Sequence, residues 1–67
     1  MPEVFIQMFE GRSIEQKREL VREVTDAVTR SLGVHPDVVT VQLIEGSKQN
    51  RARGGRLFSD LHAAEPK

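Results

Sequence analysis

Met1-Pro-Glu-Val-Phe-Ile-Gln-Met-Phe-Glu-Gly-Arg-Ser13 is the stretch from which the rest of the chain can be read. Val4 to Phe9 has strand character: Val4, Ile6 and Met8 alternate to one side, Phe5, Gln7 and Phe9 to the other. Both sides are largely apolar, which predicts a strand covered on both faces. Pro2 fits at its start, where no ladder bond is required. Glu10-Gly11-Arg12 reads as a turn. Ser13 then supplies a helix N-cap, Gln16 completes a capping box, and Glu15 places negative charge in the first turn, where the helix dipole favours it.

Working outward, residues 14 to 32 predict a helix. Leu20, Val21, Val24, Ala27, Val28 and Leu32 recur at helical spacing as one apolar stripe. Arg18, Glu19, Arg22, Glu23, Asp26 and Arg30 lie mostly off it and read as a solvated face, with Asp26 and Arg30 spaced for an i,i+4 pair. Gly33 is placed to end the helix in a left-handed cap, and Pro36 follows too closely for it to continue. Val38 to Ile44 predicts a second strand, with Val39, Val41 and Leu43 on one face and Val38, Thr40, Gln42 and Ile44 on the other. Strand, helix, strand is a βαβ unit of the α/β (α+β) class, with parallel strands and a right-handed crossover. Glu45 to Arg53 is polar and aperiodic. Gly54-Gly55 allows a tight turn or hairpin, followed by a short apolar segment at Leu57, Phe58 and Leu61. Residues 62 to 67 are expected to form a loosely ordered tail.

A chain of 67 residues makes a single domain, residues 1–67, and a domain of that size buries only about 60% of its unfolded surface. Cysteine is absent, which excludes disulfides and thiolate metal sites, and the two histidines, His35 and His62, are too few and too far apart to suggest a metal. The remaining staple for so small a domain is oligomerisation. A two-stranded sheet with one helix cannot cover both of its faces, whereas two units sharing a four-stranded sheet packed by helices can, so the pattern implies a dimer. Ten basic and ten acidic residues balance to a net charge of zero, which argues against attraction to nucleic acid. Arg51, Arg53 and Arg56 have no tyrosine or tryptophan beside them to stack bases. No signal peptide and no membrane-length apolar run is present, so a cytoplasmic protein without a membrane partner is the expectation. Gly54-Gly55 lacks the flanking pattern of a phosphate loop, and no serine or cysteine nucleophile stands in a recognisable arrangement.

The candidate chemistry lies at Pro2. Once Met1 is removed, Pro2 carries a free secondary amine, and an α-amino group titrates near pH 8, against roughly 10 for a lysine. Apolar surroundings or a nearby cation lower that value further, because both disfavour the charged form. Arg12 offers such a cation and a fork for a substrate carboxylate. Taken alone, Met-Pro is an unspecific start, because a small second residue suits methionine removal.

The remaining parts make it specific. Met-Pro, a short strand, Glu10-Gly11-Arg12-Ser13, Glu15-Gln16-Lys17, Leu20-Val21-Arg22-Glu23-Val24, Pro36, a valine-rich strand ending in Glu45, then Asn50 and Gly54-Gly55 together resemble the 4-oxalocrotonate tautomerase family over residues 2 to about 55. The resemblance implies βαβ subunits paired into dimers, with three dimers to a hexamer. It also implies a keto-enol isomerase that needs no metal or organic cofactor and acts on a small carboxylate substrate. Pro2 matches the catalytic base and Arg12 the carboxylate-binding arginine, while Thr40, Arg51 and Phe9 fall among the substrate-binding positions. Two of these depart from the family pattern: Thr40 stands where a second arginine is expected, and Arg51 where an aromatic residue is expected. Arg51 either depresses the proline's pKa or supplies the grip on a carboxylate that Thr40 cannot. Two alternatives follow from the same resemblance. One is a hydratase or dehalogenase of the same fold acting on unsaturated or halogenated acids. The other is a largely non-catalytic partner subunit of a heterohexamer, which the polar segment after Glu45 resembles.

Overall fold

The capping box forms at Ser13. Its hydroxyl accepts from the Gln16 backbone N–H at 3.1 Å, and the Gln16 side chain accepts from the Ser13 N–H at 3.0 Å. The helix it starts, α1, runs Ile14–Leu32 and ends at Gly33, whose φ of 68° and N–H bond to the Thr29 carbonyl make a left-handed cap. The computed structural model describes residues 1–61. Before α1 runs strand β1, Glu3–Phe9, and after it strand β2, Thr40–Gly46. The two strands pair in parallel, from Glu3 opposite Thr40 to Phe9 opposite Gly46, so the chain is the expected βαβ unit.

Helix α1 covers one face of this sheet. Val4, Ile6 and Met8 of β1 and Val41 and Leu43 of β2 are half-buried, as are Leu20, Val21, Val24 and Val28 of α1. Lys17 lies one turn before Leu20 on the same face and bridges to Glu45 of β2 at 2.7 Å. Beyond β2, a 3-10 turn at Lys48–Asn50 leads into an antiparallel hairpin of β3, Ala52–Arg53, and β4, Arg56–Leu57. Gly54 and Gly55, with φ of 60° and 80°, take the two positive-φ positions of its turn. A one-turn helix α2, Phe58–Leu61, follows and brings Phe58 against Phe9, ring centroids 5.4 Å apart. No helix among the described residues is long and apolar enough to cross a membrane.

Several expectations need correction. The second strand begins at Thr40 and not at Val38. The His35 Nδ1 accepts from the Asp37 N–H and the Val39 N–H donates to the Pro36 carbonyl, so Pro36–Val38 winds as a 3-10 turn. At its other end the strand extends to Gly46, because Met8 and Phe9 still offer ladder partners to Glu45 and Gly46. The covered apolar stripe of α1 is shorter than its spacing predicts: Ala27 is exposed, and so is Leu32, at 62%. Asp26–Arg30 is not among the ion pairs of the described residues; Arg22 instead bonds Glu19, and that guanidinium holds the exposed Glu19 carboxyl below its ordinary range. The far face of the sheet is uncovered in one protomer, with Phe5 59% exposed and Ile44 also exposed. The tail expected at residues 62–67 lies outside the described residues.

Candidate functional site

Each end of β1 carries part of the site read from the sequence. Pro2, half-buried, stands at the head of the strand. Its carbonyl accepts from the Thr40 N–H at 3.0 Å, so Pro2 and Thr40 are tied together at the opening of the parallel ladder. The amine of Met1 donates to the Val38 carbonyl at 3.1 Å beside them. No lysine or arginine takes part in these contacts.

The other end is rich in cations. The Glu10 N–H donates to the Gly46 carbonyl at 3.0 Å, which pins the start of the turn to the end of β2. Gly11 has a φ of 117°, a conformation that side chains rarely adopt, and this glycine sets the chain's exit direction before Arg12. Arg12 is exposed and lines an open hollow of about 200 Å³ with Met8, Gln16, Lys17 and Leu20. Phe9 ends the strand and packs on Phe58, the buried hydrophobic side chain of the described residues at 8% exposure. Three cations gather on this pair: Lys48 lies 5.7 Å from the Phe9 ring centre, while the Arg51 and Arg53 guanidinium carbons lie 5.7 and 5.0 Å from that of Phe58. The Phe58 N–H donates to the Arg51 carbonyl at 2.8 Å, fixing the backbone at Arg51.

One protomer therefore ties Pro2 to Thr40 at the head of β1 and brings Phe9 and Arg51 to the Phe58 ring at its other end; Arg12 follows that same end but lines its hollow with Met8, whose side chain alternates to the face opposite Phe9. A seven-residue strand spans roughly 20 Å, far beyond the reach of an arginine side chain, and β1 lies between Pro2 and Arg12. A site that uses both Pro2 and Arg12 has to draw them from different copies. Arg51 likewise stands at the end of the molecule away from Thr40.

Some residues near the site escape a reading of the sequence. Lys17 falls three residues before Leu20 and so faces the sheet, a placement that helical spacing already contains. Glu45 follows Leu43 at strand spacing and shares its face. Phe58, Lys48 and Arg53 leave no such signal, because they meet only through the fold of the hairpin.

A family model described as "Tautomerase enzyme" matches residues 2–61. A 2-hydroxymuconate tautomerase of Bacillus subtilis is 41% identical over 61 residues, covering 91% of this chain and 98% of that protein. Among solved structures, one from a study of the 4-oxalocrotonate tautomerase isozymes of Methylibium petroleiphilum superposes with a TM-score of 0.86 at 35% identity, covering 94% of this chain and 98% of that one. One from a heterohexamer 4-oxalocrotonate tautomerase of Chloroflexus aurantiacus gives 0.83 at 33% identity, covering 91% and 98%.

Proposed function

The chain belongs to the tautomerase family, and from that premise we propose that it interconverts the enol and keto forms of a small unsaturated 2-oxo or 2-hydroxy acid, with the amine of Pro2 as general base once Met1 has been removed. The neutral amine takes the proton of the enol oxygen and returns it to a carbon of the conjugated chain, so a proton moves and nothing else is gained or lost. Arg12 of a second copy holds the substrate carboxylate through its planar fork, which fixes the carbon to be protonated against the amine. Thr40, beside Pro2, and Phe9 and Arg51, which meet at Phe58, complete the substrate surface. No cofactor or metal takes part in these steps.

The observation that carries this reading is the position of Pro2. It directly follows Met1, it is half-buried at the head of the sheet, and its carbonyl is held by Thr40, so a freed amine would be partly withdrawn from water on a residue whose backbone is fixed. Low-polarity surroundings favour the neutral form that a base requires. The separation of Pro2 from Arg12 supports an oligomer whose sites form between copies, a hexamer of three dimers being the arrangement expected of the family.

The test is ketonisation of 2-hydroxymuconate and of phenylenolpyruvate by protein whose intact mass shows Met1 removed, with Pro2→Ala as control. Activity that requires both Met1 removal and Pro2 supports the proposal. Inactivity of a correctly processed, assembled protein on both acids would sink it, and haloacrylates would then test the hydratase or dehalogenase alternative. A second reading, that of a partner subunit, is favoured by Thr40 standing where a second arginine is expected and by the likeness to a heterohexamer chain. Co-expression with a related subunit would distinguish it: assembly only in the mixture, and never by this chain alone, is its signature.

A further inference from the structure

The turn that presents Arg12 is anchored on three sides. The Glu10 N–H holds the Gly46 carbonyl, the Ser13–Gln16 capping box closes the start of α1, and one turn further on Lys17 Nζ lies 2.7 Å from Glu45 Oε1. Arg12 and Lys17 line the same hollow of about 200 Å³. Two cations thus share one small space, and one of them, Lys17, is paired with the Glu45 carboxylate. Among the described residues no ion pair includes Arg12.

This choice of partner runs against intrinsic preference. A guanidinium can grip a carboxylate with two parallel hydrogen bonds, whereas an ammonium offers a point charge. Glu45 is fixed to Lys17 by position: both lie on the covered face, the lysine on α1 and the glutamate opposite Met8 in the ladder. Their side chains are 27% and 30% exposed, so solvent screens the pair only in part.

We propose that Lys17 is a positioning residue that keeps Arg12 available, by occupying a carboxylate that would otherwise turn to the Arg12 guanidinium and fill the place of the substrate's own. The inference rests on the reading of Arg12 as the carboxylate-binding residue. It predicts that removing Lys17 does harm only while Glu45 remains charged.

The experiment compares wild type, Lys17→Met and Lys17→Met/Glu45→Gln. Each is checked for assembly by sedimentation and assayed with phenylenolpyruvate. In Lys17→Met, KM should rise about tenfold with kcat within twofold, the size of effect expected when a charged hydrogen bond to substrate is contested. The double variant should return KM to near the wild-type value. A substitution that merely loosened the turn would leave the double variant as impaired as the single one, and that result overturns the proposal. An unchanged KM in Lys17→Met overturns it equally. Titration of the same three proteins with fumarate, a non-reacting carboxylate, gives a second readout. If wild-type protein shows no turnover, the proline-base reading fails, while the order of fumarate affinities still decides the role of Lys17.

Discussion

An amide nitrogen is no base, so what is proposed for Pro2 depends on a single peptide bond. With Met1 attached, the Pro2 nitrogen has no usable lone pair; with Met1 removed, it becomes an amine. Pro2→Ala keeps an N-terminal amine but loses the ring that fixes its direction, and the expected loss in kcat is about 10² to 10⁴, the range of general base catalysis. Protein with Met1 retained should be as inactive as that variant, which mass-resolved preparations would reveal. The base must be neutral, so kcat/KM should rise with pH through the amine's pKa and then level off. A profile falling over that limb would indicate a protonated proline acting as an acid. Arg12→Ala should raise KM about 10- to 100-fold in steady-state assays, the cost of one charged hydrogen bond to substrate. Pro2 and Arg12 are legible in the sequence because a proline behind methionine and an arginine in a glycine turn are local features. That they stand at opposite ends of one strand also follows from the sequence, by counting residues along the strand between them. The gathering of Lys48, Arg51 and Arg53 on Phe9 and Phe58 is hidden from such a reading, because residues about forty to fifty positions apart meet there through a hairpin with no periodic signal.

At the scale of elements, helix α1 is legible with its true limits because both ends carry chemical stops. Ser13 and Gln16 satisfy each other's backbone N–H groups, and Gly33 adopts a conformation that costs other residues free energy. Ser13→Ala should therefore destabilise the fold by about 1 kcal/mol in denaturant titration, because it leaves the Gln16 N–H without its cap. Gly33→Ala meets no neighbouring atom, so any destabilisation there, again about 1 kcal/mol, is backbone strain alone. The second strand lies two residues later at each end than its composition predicts, for a physical reason. Strand propensity sees Val38 and Val39 as good formers, but it does not see the His35 side chain capping the Asp37 N–H and pulling Val38 into a 3-10 turn.

For the whole molecule, the absence of a closed interior is what matters. Phe58 is the buried hydrophobic residue of the described chain, and the half-buried faces of β1, β2 and α1 enclose nothing completely. The radius of gyration is 15.3 Å, against roughly 11 Å for a compact chain of this length. Apolar burial is the main term that offsets the conformational entropy of folding, and this shape supplies little of it in one copy. The uncovered sheet face, with Phe5 and Ile44 exposed, is where further burial is to be found. Folding and assembly should therefore be one event. The melting temperature should rise with protein concentration, because subunits that bind the folded form stabilise it by mass action. Phe5→Glu places a charge on the uncovered face without touching Pro2, Arg12 or the helix cap. Sedimentation and circular dichroism of that variant should lose the assembled species and the folded signal together, since a charge trapped between apolar faces costs more than removal of the phenyl ring alone. A folded 7.6 kDa monomer with a melting point independent of concentration would show instead that the protomer stands by itself. A site divided between copies would then have no means of forming, and the base role of Pro2 toward an Arg12-bound acid would fall with it, whereas the guarding role of Lys17, which lies within one protomer, would still be decided by its own titration.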